Sequence, residues 1–366
     1  MAPPPDGQSP DGSPAFQELS KAGVNFMRSG PVGSNWTPQY LKEEEHLLDV
    51  AAKYQMHAAP WLKELADFPA SAGVKETKLK ELINALKNYP ALGVWKGADE
   101  PEWGKLPPEN VKRVYDIIKS LDPNHPIWIV QAPRGTVQSL AAYNPTYDIT
   151  GTDIYPVGYP PGGHSLLPNK EISMVGDYAQ RMREVTGGKK PFWMTLQIAW
   201  SGVAGKGKTL RFPTFAQERF MTYQAIINGA RGLIYFGGNL PQTFNERDAK
   251  LGWNWTFWES VLRPVVEEIG AHGPLAQAML APDSNLPVRV NGQGIEFVVR
   301  ETPQALFILA CDRDPVNTAQ VKFTGLPSSL GDGQVLFEEP RTVKATNGSF
   351  EDWFGPYEVH VYRFAR

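Results

Sequence analysis

Short apolar segments alternate with helical segments between residues 14 and 237, and this alternation limits the fold more than any other feature. The helical segment 37–54 shows the pattern well, with apolar residues at helical spacing and Glu43, Glu44 and Glu45 on the side expected to face water. Strands that alternate with helices are typical of a parallel sheet covered by helices. The seven segments that we predict as strands are 23–30, 56–62, 91–103, 127–131, 148–155, 191–200 and 231–237.

The ends of these strands favour a closed barrel over an open sheet. No Gly-rich phosphate loop follows any of them, which disfavours an open nucleotide-binding sheet. In a barrel, every carboxyl end faces one shared mouth. The polar or aromatic residues at these ends are Arg28, Trp61, Glu100, Asp153, Gln197 and Asn239. We therefore predict an α/β fold, a TIM-like (β/α) barrel.

One strand is missing from an eightfold count, and a helix at 14–22 precedes the first visible strand. Either the first strand lies upstream of this sequence, or residues 1–10 replace it poorly. We favour the upstream strand.

The pattern changes near residue 281, where short strand-like segments with turn signals between them replace the alternation. This predicts a small antiparallel β-sandwich. The expected domains are a barrel over 1–280 and a sandwich over 281–366. The second domain has no cluster of acids or histidines, which favours a packing role.

Composition narrows the classes of partner. The net charge of −3 comes without a basic face or a polybasic run, so neither nucleic acid nor a membrane surface is expected. No stretch reaches the about 18 apolar residues of a membrane span. The six histidines lack ligand spacing, and one cysteine forms no disulfide, so we expect no metal and no cofactor. A homo-oligomer and a secreted or periplasmic location both stay open.

Within the segment 91–103, the apolar run ends at adjacent carboxylates followed by a proline, Asp99-Glu100-Pro101. Pro101 cannot continue a central strand, so the chain must turn into a loop there and leave both acids at the rim. The segment 148–155 repeats this pattern, since Asp153 and Tyr155 precede Pro156.

Four motifs resemble barrel glycoside hydrolases of the large retaining clan, and bacterial β-galactosidase-like barrels with a carboxyl-terminal sandwich most of all. They are NYPALGVWKGADEP at 88–101, LDPNHP at 121–126, DITGTDIYP at 148–156 and MTYQAIINGARGLIYF at 221–236. The resemblance spans most of residues 15–366. It implies a glycosidase acting on an oligo- or polysaccharide, with Glu100 as general acid/base at the end of the barrel's fourth strand.

The sequence departs from that clan at the end of the seventh strand, where Gln197 stands in place of the expected glutamate nucleophile. Three interpretations are open. Gln197 is native and positions the substrate, it is an isosteric substitution for the nucleophile, or it marks a barrel that has lost hydrolysis. We favour the first. The second acid is then Asp153 or, less favoured, Glu218 at the start of a helix. Their separation would distinguish retention from inversion.

Other residues at the mouth are expected to bind sugar by stacking or by hydrogen bonds to hydroxyls. These are Arg28, Trp36, Trp61, Lys96, Asp99, Tyr155, Gln197, Trp200 and Asn239. Two alternatives to a glycosidase remain: a non-catalytic carbohydrate-binding barrel, indicated by Gln197, and an esterase. The esterase is disfavoured because no Gly-x-Ser-x-Gly motif is present. The sequence leaves the sugar, the linkage and the exo or endo mode open.

Overall fold

The computed structural model describes residues 1–199 and 205–366. It shows the predicted alternation of strands and helices, numbered here in chain order. The strands of the alternating region are β1 Phe26–Ser29, β2 His57–Pro60, β3 Trp95–Asp99, β4 Ile127–Val130, β5 Thr150–Asp153, β6 Gly158–Tyr159, β7 Phe192–Gln197, β8 Thr209–Leu210 and β9 Gly232–Phe236.

The helices lie between these strands and after β9. They are α1 Ala15–Ala22, α2 Pro38–Lys53, α3 Gly73–Leu86, α4 Pro108–Leu121, α5 Val137–Ala141, α6 Met174–Thr186, α7 Phe215–Ile227, α8 Glu246–Leu251, α9 Trp255–Phe257, α10 Arg263–Ile269 and α11 Ala276–Leu280, with a π-helical turn at Trp258–Leu262. None of the described helices is both long and apolar enough to cross a membrane.

Parallel pairing links β1, β2, β3, β4, β5, β7 and β9 in that order. Four of the links are ladders, β1 with β2, β3 with β4, β5 with β7 and β7 with β9. Isolated bridges join β2 to β3 and β4 to β5. Each strand thus pairs with the next one in this series, and all of the carboxyl ends lie at one rim.

Residues 1 and 2 occupy the place of a first strand between β9 and β1. Ala2 donates its N–H to the Tyr235 carbonyl at 2.9 Å and forms a parallel bridge with Phe236. On the other side, the Arg28 N–H donates to the Met1 carbonyl at 2.8 Å. Backbone hydrogen bonds therefore run around a cycle of eight segments in which β3 is the fourth. Two residues carry no periodicity, so the sequence could not show this.

Two apolar clusters separate the inside of this cycle from its outside. The inner cluster joins side chains of Ala2, Ala59, Val94, Trp128, Val130, Ile149 and Ile234, which come from all around the cycle. A larger cluster packs the helices against the outer faces of the strands. The inside of the cycle is therefore a packed core below the mouth.

The carboxyl-terminal region consists of antiparallel strands only. They are β10 Arg289–Val290, β11 Ile295–Glu301, β12 Ala305–Asp312, β13 Ala319–Thr324, β14 Gly333–Leu336, β15 Arg341–Val343, β16 Phe350–Phe354 and β17 Val359–Ala365. One sheet has the order β10-β13-β16 and the other β11-β12-β17-β14-β15. A common apolar cluster, with Phe323, Phe350 and Phe364 among its members, contains residues from both sheets.

Glu44 corrects one detail of the sequence pattern, because it is buried rather than facing water. Its carboxyl accepts hydrogen bonds from the Ser29 hydroxyl and, at 2.9 Å, from the Gly30 N–H. Burial raises the pKa of Glu44 to about 7. The helix α2 thereby fixes the turn that follows Arg28 at the end of β1.

Candidate active site

Glu100 lies immediately after β3, at the rim, in a backbone conformation that is unusual for a residue with a side chain. Its φ angle is +46°, in the left-handed region. The Glu100 N–H donates to the Val130 carbonyl at 2.7 Å, and the Glu100 carbonyl accepts from the Gly104 N–H at 2.8 Å. Such a conformation costs on the order of 1–3 kcal/mol and is typical of functional sites. The fold thus holds the Glu100 side chain at the mouth against a local preference.

Asp153, at the end of β5, meets Glu100 across the mouth. The two carboxyls are close enough to shift each other's pKa: the negative charge of Glu100 raises the pKa of Asp153, and the interaction with Asp153 lowers the pKa of Glu100. The Tyr155 hydroxyl also interacts with the Asp153 carboxyl and lowers its pKa. Two carboxyls that lie close together cannot both ionise easily, because the second negative charge is repelled by the first. The sequence offered the pair as separate candidates, and the structure brings them together.

The environment of the pair favours retention of a proton. Burial raises the pKa of Glu100, and the negative charge of Asp99 raises it further. Burial also raises the pKa of Asp153 well above its usual value, with added contributions from the charges of Glu100 and Asp99. Both shifts favour the protonated forms of these two carboxyls.

Lys96 anchors the acidic side of the mouth from within β3. Its side chain is 1% exposed, and its Nζ lies 2.9 Å from the Asp99 Oδ1. The ammonium group also donates to the Ala98 carbonyl at 3.0 Å and lies 5.3 Å from the centre of the Trp128 ring. Asp99 is therefore held by an ion pair and is the exposed member of the acid cluster.

Cations surround Trp61, next to the acids of the mouth. The Arg28 guanidinium lies 4.7 Å from the centre of the Trp61 ring, and the Lys63 ammonium lies 3.7 Å from it. Lys96 is 5.5 Å from the same ring. The mouth thus has an acidic side, formed by Asp99, Glu100 and Asp153, and a basic side around Trp61.

The sequence analysis missed Lys63, Arg134 and His164. Arg134 lies over the Trp103 ring at 4.2 Å and lowers the pKa of Glu100. His164 accepts a hydrogen bond from the Tyr155 N–H at 3.0 Å, and its ring stacks on that of Tyr155. The position of Arg134, four residues after β4, could have indicated that it lies at the mouth. No local sequence pattern indicates this for His164, which lies in a distant part of its loop.

Glu218 is not brought to the acid pair. It is completely buried in α7, and neither of its carboxyl oxygens has a hydrogen-bond partner among the described residues. Burial raises its pKa well above the usual value, with no contribution from Glu100 or Asp153 within the described part of the chain. The neighbouring Arg219 pairs with Glu268 at 2.9 Å instead. The structure therefore favours a structural position for Glu218.

Gln197 and Trp36 use their polar atoms within the protein. The Gln197 Oε1 accepts from the Val157 N–H, and its Nε2 donates to the Val157 carbonyl, both at 2.8 Å. Trp36 is buried and donates from its ring nitrogen to the Trp61 carbonyl at 3.0 Å. Both residues thus hold loops at the mouth, which favours indirect roles over direct contact with a sugar.

Two further residues were predicted to bind sugar, Asn239 and Trp200. Asn239 is exposed in the loop that follows β9. Trp200 lies outside the described residues. Within 1–199 and 205–366, no group of three or more His, Cys, Asp or Glu side chains is arranged to hold a metal ion.

Comparisons with known proteins give no match at the level of sequence families. No family model matches this sequence, and no curated protein matches it either.

Solved structures do match. One described as a glycoside hydrolase aligns with a TM-score of 0.65 at 12% identity, over 96% of this chain and 87% of the other. A family 5 glycoside hydrolase from Bacteroides vulgatus gives 0.61 at 12% identity, over 96% and 84%. A family 30 endoxylanase from Clostridium papyrosolvens gives 0.53 at 12% identity, over 98% and 94%. At such identities the likeness concerns the fold, and the chain has the α/β barrel fold of these glycoside hydrolases.

Proposed function

We propose that this chain is a glycoside hydrolase that cleaves a glycosidic bond of an oligo- or polysaccharide at the mouth of the barrel. Glu100 acts as the general acid/base, and Asp153 is the second carboxyl. The proximity of these two half-buried carboxyls, each with a raised pKa, is the observation that carries the proposal. Protonation of a leaving glycosidic oxygen requires a carboxyl that stays protonated near neutral pH.

The position of Glu100 gives independent support. It follows the fourth strand of the cycle. The glycoside hydrolase clan that this sequence resembles carries its general acid/base at that position. Its strained backbone and its place at the rim, beside the exposed Asp99, suit a group that must reach a bound substrate. The glycoside hydrolases among the similar solved structures support the same reaction class.

The separation of the two carboxyls across a bound sugar determines the stereochemical outcome, at about 5–5.5 Å for retention and about 6.5–9.5 Å for inversion. A sugar ring would enter beside both groups. Glu100 would then protonate the leaving oxygen, while Asp153 attacks the sugar carbon or activates a water.

The alternative is a carbohydrate-binding barrel without turnover. It is favoured by the hydrogen bonds of Gln197 to Val157, which fill the position of the expected nucleophile with a structural amide. This alternative predicts glycan binding that survives the loss of the Glu100 carboxyl.

Hydrolysis of a panel of aryl glycosides and polysaccharides by the wild type and by Glu100→Gln tests the proposal. General acid/base catalysis contributes about 10²–10⁴-fold, and we expect kcat to fall by that factor. Glu102→Gln, two residues further along the same loop, is the matched control and should keep wild-type activity. Equal activity of Glu100→Gln and the wild type would remove Glu100 from the mechanism. Glycan binding without turnover would favour the alternative.

We also propose the division of the chain into a barrel domain over 1–280 and a β-sandwich domain over 281–366. The last helix, α11, ends at Leu280, and only strands follow it in the described chain. The apolar cluster shared by the two antiparallel sheets supports a separate core for the second domain.

A further inference from the structure

We propose that the substrate carries an anionic sugar, and that Arg28, assisted by Lys63, binds its carboxylate or sulfate at the basic side of the mouth, beside Trp61. This inference rests on the proposed glycosidase function, since it names the class of glycan that the same site accepts.

Arg28 has no direct anionic partner among the described residues, although the negative charge of Asp99 raises its pKa. Its Nε is fully buried and has no hydrogen-bond partner within the described chain. Its guanidinium lies 4.7 Å from the centre of the Trp61 ring. Burial of a charged group without a partner is costly. A guanidinium that is held in this way at a rim is poised to receive an anion from outside the protein.

Lys63 adds a second cation to the same place. It follows Trp61 closely, in a left-handed conformation with a φ angle of +53°, and its ammonium group lies over the ring. Burial lowers the pKa of Lys63, and the positive charge of Arg28 lowers it further. The two cations therefore repel each other, and an anion bound between them would relieve that repulsion.

The acids of the mouth neutralise these cations only in part. The negative charge of Asp99 raises the pKa values of Arg28 and Lys63, but its carboxylate forms its ion pair with Lys96, at 2.9 Å. The pKa values of Glu100 and Asp153 are raised, which favours their protonated forms. Positive charge therefore remains around Trp61, at the same mouth as the proposed acid/base.

The chemistry of the site defines the anion. An arginine fork donates two parallel hydrogen bonds to a carboxylate or to a sulfate. Trp61 offers a flat face that suits a pyranose ring, and its indole is fixed through the Trp36 hydrogen bond to the Trp61 carbonyl. Uronic acids and sulfated sugars combine an anion with such a ring. The two sources share one recognition chemistry.

Matched substrates test this inference. We would measure kcat/KM for the 4-nitrophenyl glycosides of glucuronate and glucose, of galacturonate and galactose, and of galactose 6-sulfate. The wild type should prefer at least one charged member over its neutral counterpart. A hydrogen bond to a charged group contributes about 1.5–3 kcal/mol, so Arg28→Gln should reduce the charged-to-neutral ratio by about 10–150-fold. The substrate that loses most identifies carboxylate or sulfate.

Two further variants separate a binding effect from a folding effect. Lys63→Gln changes a less buried cation at the same site and should reduce the ratio in the same direction. Arg231→Gln removes a guanidinium at the opposite end of the barrel, before β9, and should leave the ratio unchanged. Thermal melting of each variant checks that it is folded. An unchanged ratio in folded Arg28→Gln and Lys63→Gln would overturn the inference.

Binding distinguishes this inference from the proposed function. Calorimetry with free glucuronate, galacturonate, galactose 6-sulfate and the neutral sugars uses the Glu100→Gln protein, with and without Arg28→Gln. Anion binding that needs Arg28, in a protein whose wild type hydrolyses nothing, would remove the glycosidase and keep the anionic site. Hydrolysis of neutral glycosides with no preference for charge would keep the glycosidase and remove the anionic site.

Discussion

The seam between the barrel and the carboxyl-terminal strands buries charge with partners of opposite sign, whereas the mouth, beside its Lys96–Asp99 pair, also holds like charges close together. At the seam, the Arg219 Nε lies 2.9 and 3.0 Å from the two carboxyl oxygens of Glu268, and its Nη1 donates to the Val359 carbonyl at 2.9 Å. The Tyr223 hydroxyl donates to the same carboxyl at 2.7 Å. At the mouth, Glu100 meets Asp153, and Arg28 meets Lys63.

The contrast shows what each region is built to do. Buried ions that neutralise each other are costly to separate, so the seam fixes one arrangement of the two regions. Like charges held together shift each other's pKa values and stay available to bind a group of opposite charge. Both properties are typical of functional sites. Burial alone therefore does not mark a site. The sign of the neighbouring charges does.

The largest expected effect lies at the seam. Arg219→Met leaves the Glu268 carboxyl buried without its cation, and removal of one partner of a buried pair costs about 3–5 kcal/mol. We expect that loss in the free energy of unfolding, measured by urea titration. Glycosidase activity per folded molecule should stay at the wild-type level.

Lys322→Met is the matched control for this change. It breaks the pair of Lys322 with Glu351 at 3.0 Å, in which both side chains are exposed, and surface pairs contribute about 0–1 kcal/mol. An equal loss of stability in the two variants would contradict the difference that we infer between the buried pair at the seam and the exposed pair at the surface.

Glu218 should give a smaller effect that depends on pH. Burial raises the pKa of Glu218 in the folded chain above the about 4.3 of an unfolded glutamate. The native state therefore holds the proton more tightly, and the stability of the wild type falls as the pH rises above that value. The slope is at most about 1.4 kcal/mol per pH unit. Glutamine does not titrate, so the stability of Glu218→Gln relative to the wild type should increase from pH 5 to pH 8.

Urea unfolding at pH 5, 6.5 and 8 measures this increase. Glu184→Gln changes an exposed glutamate of α6 and should show a constant difference from the wild type. A constant difference for Glu218→Gln as well would mean that its carboxyl is solvated or paired.

The smallest expected effect is a shift of the pH profile by Asp99→Asn. The Asp99 charge raises the pKa of Glu100, second to burial. Its removal takes away a negative charge and frees the positive Lys96, and both changes lower the pKa of Glu100. The protonated acid is then lost at a lower pH, so the basic limb of kcat/KM should move to lower pH.

Asp116→Asn provides the control for this profile, because Asp116 pairs with Lys112 on the exposed face of α4. Its profile should coincide with that of the wild type. A basic limb that stays in place in Asp99→Asn, or moves to higher pH, would show that the acid cluster does not govern catalysis.

Much of the fold could be predicted because the pattern of apolar residues in each strand and helix depends on which of its faces are buried. Apolar runs such as Ile127–Val130 and helical spacing such as that of Pro38–Lys53 appear in the structure close to their predicted bounds. Glu100 could be placed at a rim because Pro101 ends the strand. These signals are local, and they hold whatever the rest of the chain does.

The sequence by itself determined a parallel, helix-covered sheet, a following run of antiparallel strands and an acidic strand end at Glu100. Only the tertiary structure decided that residues 1 and 2 complete the strand cycle, that Asp153 and not Glu218 affects the pKa of Glu100, and that Arg28 and Lys63 lie near the ring of Trp61. The physical reason is the distance along the chain over which each property is determined. Periodicity depends on neighbours along the chain, while pKa values and ion pairs depend on charges brought together from separate strands by their register.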